Sequence, residues 1–184
     1  MTWFLIIVAI LAIGGIKIYH SLVKLRTSAR GAWADIDVQL KRGYDLIPNL
    51  VATVKGYASH EKDTLEAVIN ARNRAMSASG PQQKAQAENM LTGALKSLFA
   101  LSEAYPELRA AESFTSLQDS LEEIEGAVQS ARRYYNAVVR DYNTKVEQFP
   151  SALVANAFRF QKEEFFELDD EAQREAPKVS FDDN

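Results

Sequence analysis

The chain has 184 residues, no cysteine, two histidines and a net charge of −4. The absent thiols exclude a disulfide framework, a thiolate zinc site and a cysteine nucleophile, and His20 and His60 stand in no ligand motif. The charge is graded, with +3 over residues 1–45, −1 over 46–160 and −6 over 161–184, and a basic start with an acidic end speaks against nucleic-acid binding.

Trp3 to Tyr19 is a run of 17 residues, apolar except for Lys17, at the short end of what crosses a bilayer as a helix. Lys17 can snorkel along its own stem to the headgroups, and Trp3 and Tyr19 stand where an aromatic belt forms. Ile7, Ile10 and Ile13 make the apolar body of this anchor. A signal peptide is a rival, since Ala12 and Gly14 give a weak small-x-small pattern, but no basic residue precedes the run. A buried core helix is the other rival; a terminal helix apolar on all sides reads more readily as an anchor. Lys17, Lys24, Arg26 and Arg30 follow the span, so the positive-inside rule puts the N-terminus outside and the body in the cytoplasm.

Four helical stretches follow, and no strand pattern appears, so the class is all-α. The first covers about His20 to Tyr44, with Leu22, Leu25, Ala29, Ala32, Ile36 and Leu40 stepping by threes and fours. It continues the membrane helix, because no Gly or Pro stands between Lys17 and Gly31. The second runs from about Pro48 to Ala78, with its period weakened near His60 and Glu61. The third runs from Pro81 to Ala104 and ends before Pro106. The fourth, from Ala111 to Phe149, has the strongest periodicity. Its stripe runs Phe114, Leu117, Leu121, Ile124, Val128, Ala131, Tyr135, Val138 and Tyr142. Residues 151–160 suit one short helix. Beyond them lies an acidic tail whose second half is expected to be disordered.

The run VQLKRGYDLIPNLV, residues 38–51, decides how these stretches connect. Its apolar phase passes Pro48 almost unshifted, which suits one long helix kinked at the proline. Burial argues for a corner, because each apolar stripe needs cover and short connections make antiparallel neighbours. The corner is the favoured reading, with Asp45 as cap and Pro48 in the first turn. The kink survives if chains pair along the first stretch. The expected architecture is therefore a transmembrane anchor (1–19), an antiparallel up-and-down four-helix bundle (20–160) and an acidic tail (161–184). A corner at 45–48 gathers Tyr44, Asp45, Asn49, Tyr105 and Glu107 at the membrane-distal tip, as a candidate partner-binding surface. The other end then brings Leu153, Phe158 and Phe160 near the headgroups.

Residues 32–61 (AWADIDVQLKRGYDLIPNLVATVKGYASHE), with EAYPELRA (103–110), FTSLQDSLEEIE (114–125) and ARRYYNAVVRDYNTKVEQFP (131–150), resemble the signature regions of the LemA family. The resemblance reaches from the anchor to the Phe165–Phe166 pair. It implies a bacterial single-pass membrane protein with an extracytoplasmic N-terminus, an antiparallel helical bundle and no established enzymatic activity. One branch of the family acts in magnetosome membrane formation. Gly43 departs from the pattern, since a basic residue is usual there.

Little points to catalysis. Asp35 and Asp37 project from different sides of a helix, Asp45 has no evident acid–base partner, and the Glu-x-x-His pairs of di-iron bundles are absent. No cofactor, metal or small-molecule substrate is expected. Arg132, Asn136 and Asn143 form a polar run with Tyr135 and Tyr142. The two asparagines, seven apart, share a face and are expected to fix register between helices, with a ligand site as the alternative. The function expected is a non-catalytic adaptor or scaffold that binds lipid through its anchor and another protein through its tip. The alternative is a self-assembling membrane-shaping or envelope-stress component, and an enzyme comes last.

Overall fold

A computed structural model describes residues 1–167 and shows six helices. They are α1 (Thr2–Tyr57), α2 (Lys62–Ser77), α3 (Pro81–Ser102), α4 (Pro106–Arg109), α5 (Glu112–Glu147) and α6 (Ser151–Ala157). No strand occurs among the described residues. The acidic, disordered tail expected from the sequence falls mostly on residues 168–184, outside the described residues.

The corner at 45–48 does not exist. Helix α1 passes through Pro48 and continues to Tyr57, so its 56 residues extend over roughly 84 Å at 1.5 Å per residue. Its buried side chains begin at Leu22 and continue through Ala29, Ala32, Ile36, Leu40, Tyr44, Ile47, Leu50 and Val54. That is one stripe, unbroken at the proline. The turn lies instead at residues 58–61, the point where the sequence period weakens.

Cover for so long a stripe comes from two directions. Helix α5 has 36 residues, roughly 54 Å, and runs antiparallel along α1. Gly43 faces Ile124, Trp33 stacks near Tyr135, and Leu22 clusters with Tyr142. Helices α2 and α3 double back beside the far half of α1. Arg72 of α2 reaches the level of Tyr44, and Lys84 at the start of α3 reaches the end of α2. The near half is covered by α6 and by an extended strap, residues 160–167, which lies along α5. The main core therefore sits between α1, α2, α3 and α5. A smaller cluster of Leu22, Tyr142, Val146, Ala155 and Phe160 lies toward the apolar N-terminus.

The strap belongs to the packed body. Phe166 is fully buried in the main core, so the packed body extends at least that far.

Candidate functional site: a bridged proline, a distal cap and a clamped strap

Pro48 has no N–H, so the Tyr44 carbonyl four residues earlier loses its helical donor. Arg72 Nε donates to that carbonyl at 2.7 Å. One side chain from the neighbouring helix thus makes good the bond the proline removes, and α1 stays intact. The Tyr44 hydroxyl donates to Glu88 Oε1 on α3. Lys84 Nζ, one turn before Glu88, lies 5.8 Å from the Tyr44 ring centre and donates to the Ala75 carbonyl at 3.0 Å. That last bond satisfies an orphan acceptor at the C-terminus of α2. Tyr44, Lys84 and Glu88 are all buried. Burial pushes the Tyr44 hydroxyl far up, and Glu88 adds to this through its hydrogen bond and its charge. Burial likewise raises the Glu88 carboxyl, against the opposing effects of Tyr44 and Lys84.

This separates the residues expected together at a tip. Tyr44 is a core residue, and Asp45 and Asn49 are exposed on the flank of α1 beside Pro48. The distal end keeps Tyr105 and Glu107 and joins them to groups of the α1–α2 turn. The Tyr105 hydroxyl donates to Glu61 Oε1 at 3.0 Å, tying the α1–α2 turn to the start of α4. Glu61 holds the Tyr105 hydroxyl above its usual range, chiefly through this bond. Fully buried Leu108 plugs the end of the bundle beneath them. Ser59, His60, Glu103, Pro106 and Glu107 stand exposed around this cap.

The hydrogen bonds of Asn136 and Asn143 go to an extended main chain rather than to a neighbouring helix. Asn143 Nδ2 donates to the Glu163 carbonyl and its Oδ1 accepts from the Glu163 N–H, both at 2.9 Å. Asn136 repeats the arrangement on Phe166, at 3.0 and 2.9 Å. Between them the Tyr135 hydroxyl donates to the Glu164 carbonyl at 2.7 Å. The spacing is commensurate. Seven helical residues rise about 10.5 Å, and the three extended residues from 163 to 166 span about 10 Å. Each amide thus imitates one rung of a β-ladder. Burial, with help from Glu163 and Glu164, pushes the Tyr135 hydroxyl up to about 12, so it remains a donor over the physiological range. Side-chain anchoring comes from Phe166, whose ring stands edge-on to Trp33 at 5.4 Å. Phe160 anchors the near end, 5.7 Å from the Tyr19 ring and under the Arg26 guanidinium at 4.8 Å. Arg132 is buried one turn before Asn136.

The sequence reading missed Arg72, Lys84, Glu88, Glu61 and Phe166. A signal existed for three of them, and Arg72 keeps the helical period of Leu65, Val68 and Ala75. Lys84 and Glu88 extend the stripe of Leu91 and Leu98 at helical spacing, which places charges where apolar residues belong. For the strap no periodic signal existed, because an extended segment clamped through its backbone needs no side-chain pattern.

At the other end, Trp3, Ile7, Ile10 and Ile13 are exposed, and Tyr19 is half-buried against Phe158 and Phe160. The apolar stretch of α1 is long and apolar enough to cross a membrane, and none of that stretch is buried within the molecule.

Among families, the LemA family matches residues 32–181. Curated relatives include the magnetosome protein MamQ of Magnetospirillum gryphiswaldense, 23% identical over 80% of this chain. The magnetosome protein MamQ 2 of Paramagnetospirillum magneticum is 22% identical over 81% of it. The chain spans 64% of the length of each of these two relatives.

Proposed function

The chain belongs to the LemA family, and from that premise we propose that it is a membrane-anchored, non-catalytic adaptor. One observation carries the reading. An apolar stretch with no buried residue continues without a break into the helix that organises the packed body. Water would penalise so large an unpaired apolar surface, and a bilayer removes the penalty. Lys17, Lys24, Arg26 and Arg30 then favour a cytoplasmic body with the N-terminus outside. About 39 residues separate Tyr19 from Ala58, so the distal cap stands roughly 60 Å from the membrane surface.

That height is what an adaptor needs. The partner-binding role moves from Tyr44, now in the core, to the exposed ring around the Tyr105–Glu61 cap, with Glu107 retained from the expected tip. The buried titratable groups have structural duties: Glu88 holds Tyr44, and Lys84 caps α2. Photo-crosslinking in cells with a reactive residue at His60 or Glu107 tests the role. A discrete protein captured from both positions, and not from Asp141 near the membrane end, is expected. Capture that is the same from all three sites contradicts it. Protease digestion of intact cells against inverted vesicles tests the orientation.

The second reading is a self-assembling membrane-shaping or envelope-stress component. Light scattering of the full chain in detergent separates the two, since a strict monomer at high concentration counts against assembly.

A further inference from the structure

Helix α6 and its flanks expose three large apolar side chains that none of the described residues covers. Phe149 is 77%, Leu153 64% and Phe158 62% exposed. Their position relative to α1 says what covers them. The Phe158 ring lies 4.8 Å from the Tyr19 ring. Val154 and Phe158 line one groove with Ala12, Gly15, Ile16, Tyr19 and His20. Several of these α1 residues belong to the apolar stretch itself.

Length then fixes the level. Trp3 to Tyr19 is 17 residues, about 25 Å of helix, whereas the hydrocarbon core is about 30 Å thick. A span this short has to be drawn in up to its last apolar residues, and whatever packs on Ile16 and Tyr19 is drawn to the interface with them. Resting on the membrane-anchor reading above, we infer that α6 with Phe149 and Phe158 is a second membrane contact. It is an interfacial foot that sinks its apolar side chains into the headgroup–acyl boundary of the same leaflet from which α1 emerges. Exposed Lys17, Lys24 and Arg159 suit the phosphate layer around it. The backbone is shaped for the task. Ser151 Oγ lies 2.7 Å from the Lys145 carbonyl and 2.8 Å from the Gln148 carbonyl, binding α6 to the end of α5. Arg159, in the left-handed region at φ 56°, turns the chain from α6 into the strap. The foot is thereby fixed to both α1 and α5, and the rod gains a second point of support that resists tilting.

Single-tryptophan reporters in the full chain test this, in vesicles of phosphatidylcholine brominated at shallow or deep acyl positions. The natural Trp3 and Trp33 are replaced by Phe, and Leu153→Trp or, independently, Phe149→Trp is added. His60→Trp in the same background reports the distal cap, and a Trp33→Phe chain keeps Trp3 as reporter of the anchor. Expected are several-fold stronger quenching at residues 153 and 149 than at 60, with shallow bromines the more effective, and quenching of Trp3. Quenching of Trp3 with residues 153 and 149 no stronger than 60 overturns the foot and leaves the anchor standing. No quenching of Trp3 overturns the anchor and the foot with it.

Discussion

A proline inside a helix ordinarily costs about 3 kcal/mol or more, partly through the lost hydrogen bond. Here Arg72 returns that bond to the Tyr44 carbonyl. Arg72→Ala should therefore cost about 1–3 kcal/mol, because it strands a buried acceptor. In a Pro48→Ala background the restored N–H serves the same carbonyl, and the cost of losing Arg72 should shrink. A double-mutant cycle by chemical denaturation measures the difference, and additive effects would mean that the two residues act separately. Glu88 gives a pH signature. Its folded-state pKa lies above the usual 4.5, so the folded state binds the proton more tightly. Its contribution is fully present below that value and is lost as the pH rises through the folded pKa. Stability should fall over that window in the natural chain, and Glu88→Gln should flatten the fall, in denaturation midpoints taken across it. Tyr142 is fully buried, and its hydroxyl has no hydrogen-bond partner among the described residues. Tyr142→Phe should leave stability unchanged or raise it by up to about 1 kcal/mol.

At the scale of elements, the strap is the segment whose role depends most on a few bonds. Each asparagine makes two hydrogen bonds to it, so Asn136→Ala or Asn143→Ala should loosen the strap by about 1–3 kcal/mol. The double variant should lose amide protection across residues 160–167 in hydrogen exchange, while α1 and α5 stay protected. Uniform loss along the chain, or none, would contradict the clamp. Periodicity made α3 and α5 legible almost to the residue, because each buries one continuous stripe. It also placed Asn136 and Asn143 on one face. It did not say what that face holds, since a backbone ligand leaves no mark in composition. The break between α1 and α2 was legible only as a weakening near His60, and Pro48 was the louder signal. Steric rules for proline act locally, whereas the rescuing donor, Arg72, comes from a different helix.

For the whole molecule, the consequence is a change of proportions. A corner at residues 45–48 would make a squat bundle, with Tyr44 and Tyr105 side by side. The continuous α1 makes a rod, braced toward the apolar N-terminus by α6 and the strap and thickened at the far end by α2 and α3. The all-helical class and the apolar N-terminal helix were legible because composition and pattern carry them directly. The position of the turn was not, because either connection buries the same stripe and only the partner helices distinguish them.

The most direct measurement is a distance between spin labels at Lys24 and Tyr57, both exposed, in the full chain reconstituted in bilayers. The chain has no cysteine, so two can be introduced without background. A continuous α1 over those 33 positions predicts a single narrow distribution near 50 Å, at about 1.5 Å per residue. A distribution centred near 20 Å, as a hairpin at residues 45–48 would give by the same rise, would contradict it.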